Sequence, residues 1–128
     1  MYQAYQKTQR ALSNSRDTEY RLFAQITGGL IETQDLSRTD QRLISALSRN
    51  RELWSALATD CSSGENRQAT ALRAQIISLS LWVNRYTSDV MRRSVSVNPL
   101  IDINRTIMEG LAAGAPNDTA SPGARSAG

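Results

Sequence analysis

Residues 72–93 read "LRAQIISLSLWVNRYTSDVMRR". Leu72, Ile76, Leu79, Val83, Tyr86 and Val90 recur at alternating intervals of four and three. That spacing lays them along one seam of an α-helix and excludes a strand, whose faces alternate every second residue. Ile77, Leu81 and Trp82 widen the seam, which predicts a helix over 66–95 that is buried on more than one side and central to the fold.

Outward from this helix the chain is divided by its turn-forming residues. Pro99 closes the helix, because the residue before a proline avoids the helical region. Asn98 then offers a cap with Pro99 at the first position of a last helix, "NPLIDINRTIMEGL", 98–111. Its apolar residues form two stripes. Leu100, Ile103, Ile107 and Leu111 suit the core, whereas Ile101 and Met108 are expected to face out or to meet a partner.

Toward the N-terminus, the linker "CSSGEN" carries Ser62 and Glu65 at capping-box spacing. Before it, Leu43, Leu47, Trp54, Leu57 and Ala58 line a helix running to about Asp60, with Ser37 or Thr39 as its cap and with Ile44 and Leu53 widening its face. Ser15 is placed to cap an earlier helix bearing Tyr20, Phe23, Thr27, Leu30 and Ile31. Gly28-Gly29 inside it predicts a kink or the close approach of another helix. A further short stripe runs Tyr2, Tyr5, Gln9 and Leu12. The expected fold is all-α, a small antiparallel bundle of four to five helices over residues 1–112. Residues 113–128, rich in Gly, Ala, Ser and Pro and without a large apolar side chain, are expected to form a disordered tail.

Composition narrows the function. A chain of 128 residues is long enough for one domain with its own core. Histidine is absent, which removes His-based triads and His metal ligands, and the single Cys61 makes a thiolate zinc site improbable. There is no phosphate-binding glycine loop. The expectation is a protein that is not an enzyme and has no cofactor. The net charge of +3 is spread among alternating signs, not gathered into a stripe, so direct nucleic-acid binding is not expected. No run approaches a membrane span and the start "MYQAYQKTQRAL" lacks an apolar leader core, so a cytoplasmic location is expected.

The segments "NRELWSAL", "LRAQIISLSLWVNRYT" and "NPLIDINRTIMEGL" together resemble the FlaF family, flagellar regulators of alphaproteobacteria, from about Tyr2 to Leu111. The resemblance implies a cytoplasmic factor that binds flagellin as an export chaperone and supports its synthesis and secretion. It also implies a link to FlbT, a partner regulator that acts on flagellin mRNA. Translational regulation with FlbT is the alternative, and a helical module that oligomerises through the 72–90 seam is a third. A flagellin chaperone would have to cover terminal segments that become helical in the filament, a task for an apolar groove. Candidate partner-binding residues are Trp54, Trp82, Tyr86, Leu100, Ile101, Asn104 and Met108. Both tryptophans also suit a core, and Asn104 a solvated position.

Overall fold

The computed structural model describes residues 2–62 and 70–113. Among them are four helices, α1 (Tyr2–Thr33), α2 (Gln41–Ser62), α3 (Thr70–Arg93) and α4 (Asn98–Ala113), and no strand. The expected tail from 114 onward and the linker residues 63–69, Glu65 included, lie outside the described residues. The side chains of the Tyr2–Leu12 stripe, of Leu72 and of Leu111 do as well.

Hydrogen bonds and contacts give the helix directions. Between α2 and α3, Arg38 just before α2 reaches the carbonyl of Met91, Arg51 that of Asn84, and Arg73 donates back to Cys61. Residue numbers fall on α3 as they rise on α2, so the two helices are antiparallel. Between α1 and α2 the same reversal appears: Phe23 meets Trp54, and Gly29 stands beside Ala46. The end of α1, the start of α2, the end of α3 and the start of α4 share one recess lined by Leu36, Leu43, Val90 and Val97. The chain therefore runs up, down, up and down through the four helices. Its most extensive helix contact is α2 with α3, followed by α1 with α4 and α1 with α2, while α3 and α4 touch only lightly.

The core follows the apolar stripes. Phe23 and Leu30 of α1, Leu43, Leu47 and Trp54 of α2, and Val83 and Val90 of α3 are buried with Val97, Leu100 and Ile101. Phe23 and Trp54 meet edge to face with ring centroids 5.8 Å apart, a favoured aromatic geometry. The seam expected on α3 is buried at Ile76, Val83 and Val90, while Leu79 and Tyr86 are half-buried at its margins. α3 is not the centre, however. It packs mainly on α2, and Leu81, expected to add a second buried flank, is 60% exposed.

Several helix boundaries differ from those expected. SNSRDTE does not start a new helix; α1 passes through it unbroken. Ser and Asn cost a helix only a few tenths of a kcal/mol, up to about 0.7, and no Gly or Pro is present to stop it. The cap of α2 is Asp40, not Ser37 or Thr39. The Asp40 carbonyl accepts the first helical bond from Ile44, and its Oδ1 accepts the Arg42 N–H at 2.9 Å. The Arg42 side chain closes on the same carboxylate, and these hydrogen bonds hold it below the usual carboxylate range. Ser37 instead shapes the turn, accepting from Thr39 N–H.

Ser62 belongs to the last turn of α2 and donates to Ala58, so it does not cap α3. α3 stops at Arg93, before Pro99 acts, because Ser94 turns left-handed at φ 57°. Val97, rather than Asn98, supplies the first carbonyl of α4.

Candidate partner-binding surfaces

The residues singled out from the sequence separate into two groups. Trp54, Leu100, Ile101 and Asn104 are 0–3% exposed and lie inside the bundle. Trp82, Tyr86 and Met108 are half-buried, each packed against the core with part of its surface free. Ile101 therefore does not lie on the outer stripe of α4, and Asn104 is not solvated on its polar side. Helical geometry explains both. The inward face of α4 runs Val97, Leu100, Ile101 and Asn104, one turn after another, while Ile103, Ile107 and Met108 flank it half-buried.

Asn104 is the junction of a buried polar cluster. Its Oδ1 accepts the indole N–H of Trp54 at 2.8 Å. Its Nδ2 donates to Thr27 Oγ1 at 3.0 Å and to Asn50 Oδ1 at 2.7 Å. One side chain on α4 thus binds α1 and α2 together. All three of its hydrogen bonds are made away from water, where each matters most. Asn50 Nδ2 has no protein partner among the described residues. The sequence held a trace of this cluster. On α2, the stripe Leu43, Leu47, Trp54 skips one turn, and Asn50 fills it.

The half-exposed aromatics have a structural task as well. Trp82 and Tyr86 stack at 5.1 Å, and the Tyr86 hydroxyl donates to the Ser96 carbonyl at 2.6 Å, pinning the turn between α3 and α4. Burial, with a lesser contribution from Asp89, pushes the Tyr86 phenol above its ordinary pKa, so it keeps the proton it donates. Around the pair, Arg85, Asp89 and Arg92 give a surface of mixed sign. Arg73 is half-buried and donates to Cys61 O at 2.7 Å, near the end of α2, where cationic donors are favoured. The Cys61 thiol is buried, and burial, followed by Asp60, raises its pKa, which suppresses the reactive thiolate.

Sequence reasoning missed a third surface. A shallow groove runs between α1 and α2, with Ile26, Gly29 and Ala46 at its floor and Gln25, Arg42 and Arg49 along its edges. Among the described residues no group of acids and thiols is arranged to hold a metal, and no helix is long and apolar enough to cross a membrane.

Residues 1–111 match the family model described as flagellar protein FlaF. No curated protein and no solved structure matches the chain.

Proposed function

Because this chain belongs to the flagellar protein FlaF family, we propose that it binds flagellin in the cytoplasm as an export chaperone and so supports flagellin synthesis and secretion. The family match over nearly the whole helical region carries this reading. In it the protein is not an enzyme and uses no cofactor; its work is to cover a partner. Unassembled flagellin has terminal segments that must be kept from pairing before export. An amphipathic segment is covered by laying its apolar side in a groove between helices. A small rigid bundle is suited to that work, because little of its own structure has to be ordered on binding.

The test is a titration of purified protein against monomeric flagellin, with FlbT and flagellin mRNA in separate arms. The expected result is a defined complex with flagellin, and a lag in filament growth when the protein is present. Binding to flagellin mRNA or to FlbT, with none to flagellin, would replace this reading by translational regulation.

A further inference from the structure

The groove between α1 and α2 contains a feature that the fold alone does not require. Gly28 and Gly29 stand inside α1, near its C-terminal end but before its last residue Thr33, where each costs up to about 1 kcal/mol relative to alanine. A methyl group added at Gly28 would meet nothing within 4 Å, and one at Gly29 would rest on Ala46 at 4.0 Å, an ordinary contact. No described neighbour therefore needs either glycine. What Gly29 does, together with Ala46, is leave the floor of the groove low.

Helical spacing extends the apolar strip along α1. Leu22, 42% exposed, stands one turn before the half-buried Ile26 on the face that leads to Gly29. The edge of the groove is polar and basic. Arg42 and Arg49 are exposed on it, and no acidic residue lines it.

We propose that this groove is the seat of a flagellin helix whose inward seam carries small residues and whose flank is acidic. The proposal rests on the flagellin-binding reading above and locates its site. A low floor lets a third helix approach at the short end of the usual interaxial range of about 8–10 Å. Leu22 and Ile26 supply the apolar contact. Arg42 and Arg49 favour a negatively charged flank and set the register of docking. Arg42 is already held by Asp40, so Arg49 is the freer of the two charges. Two other recesses among the described residues fit such a helix less well. The one at the end of the bundle is walled by the polar turn residues Asp35, Ser37, Ser94 and Ser96. The one on α3 is lined by residues of that helix alone, so it offers no groove between two helices.

Two exposed substitutions test the proposal with the full chain and monomeric flagellin as probe. Ser45→Trp fills the groove from its α2 side, and Arg49→Glu reverses the charge of its edge. Both positions are solvent-facing, so each variant should melt with the parent. Each should bind flagellin about tenfold more weakly or worse, and the Arg49→Glu loss should shrink as salt rises. If the parent binds flagellin and both folded variants bind it equally well, the groove is not the seat. If the parent itself does not bind, the flagellin reading fails and this site fails with it.

Discussion

The middle of α4 and the outer face of α3 invert the usual rule in opposite senses. Asn104, a polar residue, is fully buried, whereas Leu81, among the most apolar, is 60% exposed. The difference lies in what each side chain finds opposite it. Asn104 faces Thr27, Asn50 and Trp54, whose polar atoms match its own, so its burial leaves neither its carbonyl nor its amide unpaired. Leu81 lies on the outer side of α3, one and two turns from the edge where Asn84 and Ser88 meet Arg51 of α2, and no described helix covers it. Burial here is set by the neighbouring helices, and apolarity alone is a poor guide to it.

The largest expected effect comes from placing a charge beside Asn104 on the buried face of α4. Ile101 is 3% exposed, and Ile101→Glu would put an unpaired carboxylate in the core. The variant should be unfolded, or nearly so, by far-UV circular dichroism at neutral pH. Raising the pH cannot rescue it, because the glutamate is more fully ionised there. A melting temperature within a few degrees of the parent would mean that α4 is not docked in solution.

A smaller effect isolates the hydrogen bonds. Asn104→Leu keeps the number and branching of the side-chain heavy atoms, at the cost of some added bulk, and removes every partner of the Trp54 indole, the Asn50 carbonyl and the Thr27 hydroxyl that Asn104 supplies. The expected loss is about 2–4 kcal/mol, read from denaturant unfolding. Replacing Asn50 by Leu as well should recover part of it, since orphaned polar atoms cost more than absent ones. A loss that is simply additive would show that the two amides do not act as one unit.

These same residues mark where the sequence could be read and where it could not. The α3 seam was legible because its apolar spacing coincides with its packing at Ile76, Val83 and Val90. The α2 stripe was legible for the same reason at Leu43, Leu47 and Trp54. Asn50 and Asn104 were not, since a polar residue on an apolar face looks solvated until its partner, more than fifty residues away, is known. The start of α2 shows a more local failure. Ser37, Thr39 and Asp40 are all good caps, and only the geometry of the turn selects Asp40. The α1–α2 groove was illegible because it is made by small residues on two helices, and small residues leave no periodic trace. Gly28-Gly29 leaves a kink or a close helix approach equally open in the sequence; in the structure α1 runs on through the pair and Gly29 stands beside Ala46 of α2.

The smallest expected effect belongs to Leu81. Leu81→Gln removes an exposed apolar side chain and adds an amide that water can satisfy, so stability should change by no more than about 0.5 kcal/mol. Flagellin affinity should also hold if the partner helix lies in the α1–α2 groove, because α3 meets the bundle chiefly through α2. Two measurements on one variant therefore sharpen the comparison with Asn104. A fall of several degrees in melting temperature would mean that Leu81 is covered in solution. A mass that rises with protein concentration in the parent and not in the variant would then identify the cover as a second copy packed along α3. A fall in flagellin affinity at unchanged stability would instead move the docking site from the groove to the outer face of α3. Arg85, one turn after Leu81 on the same exposed face, would then become part of that contact.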